Sequence, residues 1–306
     1  MPGKRSRQSL RLAQEALAIE AEEARKAGTL GYMARFLVQA TLPHNDPRTR
    51  TFTRTNGLFR LSIIGPEGLP FGRYPRLLLA WVCTTVVTTR ARVLDLGPNL
   101  TAFFGKLGVT PTGGRYGTIG PVRNQAQRLF SASISMTYEN PDVYDHRGFR
   151  LADRLRLHKR PGEVEDPSPI VEPEETLLWW NADPGQPALF GSYVALTEGF
   201  RQAILLAPIP LDLRVLHRLR SPLAIDIYVW LTYRFSYLSR QTQVPWSALA
   251  LQFGADYART KAFAHHFRRQ LRKVLLLYPS ARVEPTRAGL ILRPASPHIR
   301  KLLPKG

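Results

Sequence analysis

The stretch DYARTKAFAHHFRRQLRKVLLLY, residues 256–278, combines an apolar and a cationic pattern in one segment. Its large apolar residues recur at steps of three and four, which places them on one side of a helix. The opposite side is mostly basic and contains Lys261, His265, Arg268, Arg269 and Arg272. An apolar side attaches such a helix to a folded domain, and a strongly cationic side favours a polyanionic partner. The stretch therefore predicts a helix laid against DNA.

The charge of the whole chain supports this interpretation. The 306 residues have a formal net charge of +20. Residues 256–306 contribute +10 to it, whereas residues 131–205 sum to −5. Basic regions on both sides of an acidic middle predict two separate contacts with double-stranded DNA.

Length and cysteine content limit the class of protein. A chain of this length is about twice a typical domain, so two domains are expected. The single cysteine, Cys83, excludes a disulfide framework within one chain. Cys83 lies in the apolar run 77–87, which is too short to span a bilayer. We expect a cytoplasmic protein without a membrane partner.

The first part of the chain predicts an arm and then a folded domain. We expect residues 1–72 to form a basic, partly flexible arm, with a helix over 10–26 and a loose or extended stretch over 41–60. From residue 73 the pattern predicts a helix over 74–88, a short strand over 93–96 and a helix over 100–107. A glycine-rich turn, TPTGGRYGTIG, precedes a third helix over 120–131. Strands over 131–139, 175–182 and 188–196 follow, and residues 159–173 form an acidic, proline-rich loop.

The same order of elements recurs in the second part. A helix over 222–237, a strand over 243–245 and a helix over 246–253 precede the basic helix. Strands over 282–284 and 290–292 then close a hairpin. Helix, strand, helix, third helix and hairpin is the order of a winged helix. We therefore predict an α+β, mostly helical chain with two tandem winged-helix domains, over 73–205 and 206–306.

Several long motifs resemble one family. The block GRYPRLLLAWVCTTVVTTRARVLDLGPNLTAFFGKLG in the first half and SPLAIDIYVWLTYRFSYLSRQTQVPWSALALQFG with GLILRPASP in the second resemble plasmid-encoded RepA-type replication initiators. The resemblance covers about residues 72–297. It implies two winged-helix domains that bind repeated origin sites, called iterons. It also implies melting of adjacent A·T-rich DNA and loading of a host helicase.

Candidate DNA contacts follow from side-chain chemistry. In the first domain, Asn124 and Gln127 can pair with adenine, and Arg123 or Arg128 with guanine or phosphate. The turn before that helix adds Arg115 and Tyr116. The basic helix of the second domain is poor in amides, which predicts phosphate contacts, with Arg268 and Arg272 as the candidates for guanine. The remaining candidates of the second domain are all basic: Lys261, His265, Arg269 and Lys273 on the helix, and Arg282, Arg287 and Arg293 on the hairpin. A solvated basic surface and unpartnered surface amides are the alternatives.

The sequence gives little support for an enzyme. Gly105-Lys106 is followed by leucine, so no nucleotide-binding loop is present. The adjacent His265 and His266 point about 100° apart on a helix and do not readily share a metal ion. Asp142 and Asp145 fit a solvated loop. We therefore expect no catalytic residue, metal or cofactor.

Two functions remain. One is a replication initiator that contacts host helicase or host initiator proteins, and the other is a dimeric winged-helix transcriptional repressor. Two modules in one chain favour the initiator, because repressors commonly obtain two half-site contacts by dimerising a single module. We expect a homodimer to form through the first winged-helix domain.

Overall fold

The computed structural model describes Ala24 and residues 26–97, 99–156, 192–254, 257 and 259–299. Within these residues the chain has the predicted α+β fold. The helices are α1 (Phe36–Gln39), α2 (Arg73–Thr89), α3 (Leu100–Lys106), α4 (Ile119–Ser131), α5 (Glu198–Leu206), α6 (Leu213–Arg218), α7 (Pro222–Phe235), α8 (Trp246–Phe253) and α9 (Thr260–Leu277). The strands are β1 (Leu30–Ala34), β2 (Thr51–Asn56), β3 (Phe59–Ile64), β4 (Val93–Asp95), β5 (Ser133–Glu139), β6 (Tyr144–Arg150), β7 (Ala152–Arg156), β8 (Tyr193–Leu196), β9 (Pro208–Asp212), β10 (Thr242–Pro245), β11 (Val283–Pro285) and β12 (Gly289–Leu292).

The first winged-helix module consists of α2, β4, α3, α4, β7 and β8. Helix α2 buries Leu77, Leu78, Trp81 and Val82, as their spacing predicts. Asn99 begins α3 by accepting a hydrogen bond from the backbone N–H of Ala102 at 2.8 Å. The three strands form a sheet in the order β4-β8-β7. The predicted helices and first strand of this module are confirmed.

The second module consists of α7, β10, α8, α9, β11 and β12. Its sheet has the order β10-β12-β11, so the first strand pairs with the last strand in both modules. Helix α7 begins with a proline at its first turn, where the missing N–H costs nothing. Helix α9 begins at Thr260, four residues later than predicted, because Arg259 has an extended backbone. The tandem winged-helix architecture is confirmed.

A four-stranded antiparallel sheet, β2-β3-β5-β6, is added to the first module. Residues 41–60 were expected to form a loose or extended stretch, and its extended part is β2, which pairs with β3 in a hairpin inside that sheet. The sequence TFTRTN of β2 exposes its threonines and lacks apolar alternation, so local pattern gave no strand. Strand β6 was missed for the same reason, since it is exposed except at Phe149. Asp145 lies in β6 and not in a loop. Its Oδ2 is 3.3 Å from Nη2 of Arg147.

Several further elements were not predicted: α1, α5, α6, β1, β7 and β9. Thr197 caps α5 by accepting a hydrogen bond from the Phe200 N–H at 3.2 Å, and Phe200 and Ile204 are buried. Strand β9 follows α5 and pairs antiparallel with β1. This two-stranded sheet ties the segment that precedes the first module to the segment that connects the two modules.

Some predictions lie outside the described residues. The helix over 10–26 does so apart from isolated positions, as do the strand over 175–182 and the acidic loop over 159–173. The boundaries 1–72, 73–205 and 206–306 stay predictions. None of the described helices is long and apolar enough to cross a membrane.

Candidate nucleic-acid interface

Helix α9 has the two-sided character that its sequence predicts. Phe263, Phe267, Leu271 and Val274 are fully buried. They hold the helix against α7 and α8. The opposite side faces solvent, with four exposed basic residues at helical spacing: Lys261, Arg269, Arg272 and Lys273. His265 is also exposed on this side. A rigidly seated helix with such a surface can clamp phosphates.

Arg268 differs from these neighbours because it is half-buried and bound within the protein. Its Nη2 donates to the Thr286 carbonyl at 2.7 Å. The guanidinium lies 4.6 Å from the centre of the Trp246 ring, a distance typical of cation–π contact. Arg268 therefore connects the helix to the β11–β12 hairpin, and Arg272 is the more accessible candidate for a guanine.

The β11–β12 hairpin presents the wing. Thr286 closes its turn, since its backbone N–H donates to the Gly289 carbonyl at 2.8 Å and its hydroxyl accepts from the Gly289 N–H at 3.1 Å. Arg287 is exposed within this turn, and Arg282 is exposed before β11. Arg293 is exposed but paired with Glu284 at 2.8 Å. The turn is thus held in shape while Arg287 points to solvent.

His266 belongs to the protein's own contacts. Its Nδ1 lies 2.9 Å from Arg269 Nη2, and its ring lies 5.7 Å from the ring of Tyr257. Burial, followed by the charge of Arg269, lowers the pKa of His266. The neutral imidazole accepts the Arg269 N–H, which orients that guanidinium along the exposed side of α9.

Helix α4 of the first module is anchored differently. Val122, Ala126 and Leu129 are buried against α2. Asn124 is exposed, as predicted for a residue that reads bases. Gln127 is half-buried at the edge of a groove that also contains Glu67 and Arg150.

Arg128 is held by the segment before α2. It forms an ion pair with Asp46 at 3.1 Å and donates to the Leu69 carbonyl at 3.3 Å. Its guanidinium lies 5.3 Å from the centre of the Phe71 ring. These contacts make Arg128 a structural anchor of α4.

The remaining candidates of the first module lie at or before the start of α4. Arg115 and Tyr116 are exposed in the glycine-rich turn, with the guanidinium 5.7 Å from the tyrosine ring. Thr118 fixes that turn, since its hydroxyl donates to the Thr110 carbonyl at 2.7 Å. Arg123 is half-exposed within the helix. The structure therefore brings Arg115, Tyr116 and Asn124 to the solvent side of one helix–turn unit.

Arg259 is a candidate that the sequence argument missed. It lies immediately before α9 and is exposed, and the first turn of that helix contains no acidic residue. The arginine is visible in the sequence, but the helix was predicted to begin at 256. Arg259 was therefore placed inside the helix and not at its N-terminal end.

The described residues give no support for a metal site or a reactive cysteine. Among them, no three histidine, cysteine or acidic side chains are grouped to hold a metal ion. Cys83 is fully buried in α2. Burial raises the pKa of its thiol to about 12. A thiol that stays protonated is a core residue and a poor nucleophile.

The fold and these surfaces define a protein with tandem winged-helix modules. A family model described as plasmid encoded RepA protein matches residues 69–177 and 170–247. The chain therefore belongs to the plasmid-encoded RepA family. No curated protein matches the chain.

Two solved structures are similar in fold. The crystal structure of selenomethionine derivatives of domains 2 and 3 of RctB superposes with a TM-score of 0.52 at 13% identity, covering 84% of this chain and 95% of that one. A second structure of RctB domains 2–3 gives a TM-score of 0.49 at 14% identity, covering 84% and 94%. The first supports the tandem winged-helix architecture.

Proposed function

We propose that this chain is a plasmid replication initiator that binds repeated sites, iterons, in the double-stranded DNA of its origin. One observation supports this best. Two modules with the same strand order each present the solvent side of a third helix, within a family of plasmid replication proteins. Third helices with exposed polar or basic residues suit the major groove.

The two third helices differ in chemistry, and we propose that they differ in role. Helix α9 exposes Lys261, Arg269 and Arg272, which suit phosphate and, for Arg272, guanine. Helix α4 exposes Asn124, whose amide can pair with adenine. The second module then supplies most of the affinity, and the first module supplies more of the base reading.

The wing adds a contact outside the major groove. Arg287 is exposed at the turn of the β11–β12 hairpin, and Arg282 is exposed at its base. In the proposed complex these side chains follow the backbone or enter the minor groove. The wing's position follows from the Arg268–Thr286 hydrogen bond.

Self-association through the first module is part of the proposal. Strand β6 is the last strand in the order β2-β3-β5-β6, so one of its edges has no neighbouring strand among the described residues. Such an edge suits pairing with a second copy. Melting of adjacent A·T-rich DNA and contact with a host helicase or host initiator protein complete the proposal, and both rest on family membership.

A footprint of the purified protein on its own plasmid's origin tests this function. The expected result is protection of several direct repeats, each about two helical turns long, next to an A·T-rich tract. Protection of a single palindrome over the promoter would instead identify a dimeric repressor and overturn the proposal.

A further inference from the structure

A buried ion pair joins the two winged-helix modules. Arg76 lies on α2, the first helix of the first module, and Asp226 lies on α7, the first helix of the second. Arg76 Nε donates to Asp226 Oδ1 at 2.7 Å, and Arg76 Nη2 donates to Asp226 Oδ2 at 2.7 Å. The arginine side chain is 3% exposed and the aspartate 9%. This bidentate geometry fixes the direction of the contact as well as its distance.

The remaining hydrogen-bonding capacity of Arg76 is also used. Its other N–H groups donate to the carbonyls of Leu42 at 2.8 Å, Pro43 at 3.2 Å and Gly72 at 2.7 Å. All five guanidinium donors are therefore satisfied. His44 Nε2 lies 2.8 Å from Asp226 Oδ2, and its side chain is 6% exposed. A buried charge with this many partners tolerates no other arrangement without a large cost.

Two more contacts tie the modules to neighbouring segments of the chain. Arg73, one turn before Arg76, donates to the carbonyls of His217 at 3.0 Å and Leu219 at 3.2 Å. Gln252, on α8, donates to the Val38 carbonyl at 2.5 Å. The first contact seats the segment that connects the two modules against α2, and the second seats α1 against α8, so both lie beside the junction that the ion pair makes directly.

The ion pair also joins the two helices on which the third helices pack. Helix α4 packs on α2, and α9 packs on α7. Any change in the angle between α2 and α7 therefore moves α4 relative to α9.

We propose that the Arg76–Asp226 pair, with His44, is a positioning clamp that sets the spacing and helical phase of the two DNA contacts. The inference rests on the proposed function. Because of the clamp, the protein binds only half-sites at a fixed separation. The clamp also holds α4 and α9 in their binding arrangement before DNA is bound. Without the clamp, the two modules bind their half-sites independently. Affinity for DNA with the native half-site separation then falls, and affinity depends less on that separation.

The test uses the full-length protein and the origin segment that its footprint defines. A second DNA has five base pairs inserted between the two protected half-sites, which turns one half-site by about half a helical turn. For the wild-type protein, we expect the insertion to weaken binding at least about 30-fold, because only one module can then engage. For Asp226→Asn, we expect binding to the original site to weaken about 10-fold and the insertion to cost less than about 3-fold.

Two further variants make the result interpretable. Asp226→Asn leaves Arg76 buried without its anion and can unfold the chain, so the double variant Arg76→Met with Asp226→Leu replaces the pair by apolar residues of similar size. A folded double variant is expected to tolerate the insertion. Arg60→Gln removes an exposed pair between β3 and β5, Arg60–Glu139 at 3.8 Å, and is expected to keep the wild-type sensitivity.

The outcomes separate the clamp from the function. Wild-type protein that binds the origin but tolerates the insertion overturns the clamp alone. A folded double variant that stays as sensitive as the wild type also overturns it. Wild-type protein that shows no footprint on the origin overturns the proposed function.

Discussion

The guanidinium of Arg268 lies 4.6 Å from the centre of the Trp246 ring, and both side chains donate to one carbonyl oxygen, that of Thr286. The Arg268 bond is 2.7 Å long and the Trp246 Nε1 bond is 3.2 Å long. The carbonyl belongs to the wing turn, Arg268 belongs to α9, and Trp246 begins α8. These contacts connect the wing turn to α9, the helix that contacts DNA in the proposed complex, and to the start of α8.

Substitutions at Arg268 and Arg272 should therefore separate structure from binding. Arg272→Gln is expected to leave the melting temperature unchanged, because Arg272 is exposed, and to weaken origin binding by about 1–3 kcal/mol if it contacts a guanine. Arg268→Met is expected to lower the free energy of unfolding by about 1–3 kcal/mol, because it removes a hydrogen bond and a cation–π contact. Thermal melts and binding isotherms on the same samples measure both effects. Equal destabilisation by the two substitutions would contradict the assignment.

Asn124→Ala should change specificity more than affinity. Asn124 is exposed on α4, and an asparagine that pairs with adenine loses about 1–3 kcal/mol of discrimination when truncated. We expect the variant to bind origin DNA more weakly and to stop distinguishing one base pair of the site. Competition with a set of single-base-pair variants of the footprinted site measures this. Arg128→Gln serves as the contrasting variant, because Arg128 is engaged with Asp46 and Phe71, and it should reduce stability.

The dependence of binding on salt counts the phosphate contacts. Nine exposed or half-exposed basic residues of the two modules are the candidates: Arg115, Arg123, Arg259, Lys261, Arg269, Arg272, Lys273, Arg282 and Arg287. If about eight phosphates are neutralised, the logarithm of the binding constant falls against the logarithm of salt concentration with a slope of about −7. Titrations between low and physiological salt measure the slope. Lys273→Gln should reduce its magnitude by about 1, and a slope near zero would exclude the proposed phosphate clamp.

Helices α2 and α9 were predictable because their apolar spacing is a local property. The buried residues of α2 and α9 lie at helical intervals in the sequence itself, so the faces of both helices were correct. Strands β2 and β6 were not predictable in this way. Both are exposed strands whose partners, β3 and β5, supply the buried residues of the sheet.

The candidate DNA-binding residues were also predictable only in part. Periodicity placed Arg268 and Arg272 on one side of α9, and the structure agrees. Periodicity could not show that Arg268 is bound to Thr286 and Trp246, because those residues lie on other elements. A different signal was available for the junction of the modules, since Arg76 directly precedes the apolar run 77–83 and Asp226 interrupts the mostly apolar run 223–231. A charge at a core position predicts a buried partner, although the sequence alone does not pair the two.

The fold should weaken in mild acid through buried histidines. Tyr228 is fully buried, and its hydroxyl accepts a hydrogen bond from the Asp212 N–H at 2.9 Å. The same oxygen lies 2.9 Å from His298 Nδ1, and in the tautomer whose Nδ1 carries no proton the neutral imidazole accepts the hydroxyl proton there. Burial, opposed by Asp212 and assisted by Arg214, lowers the pKa of His298 to about 4 from 6.5. His217 behaves alike, with a pKa of about 4 caused by burial and then by Arg73.

A histidine whose pKa is lowered on folding binds a proton more readily when unfolded. The protein should therefore lose stability as the pH falls from about 6.5 towards 4, and lose no more from these groups below that range. We expect the melting temperature to drop between pH 7.5 and pH 5, and to drop less in His298→Gln, because the glutamine carbonyl can accept from Tyr228 without titrating. His265→Gln, on the exposed side of α9, should keep the wild-type drop. Equal drops in the wild type and in His298→Gln would contradict the argument, since the neutral His298 would then contribute nothing to the pH dependence.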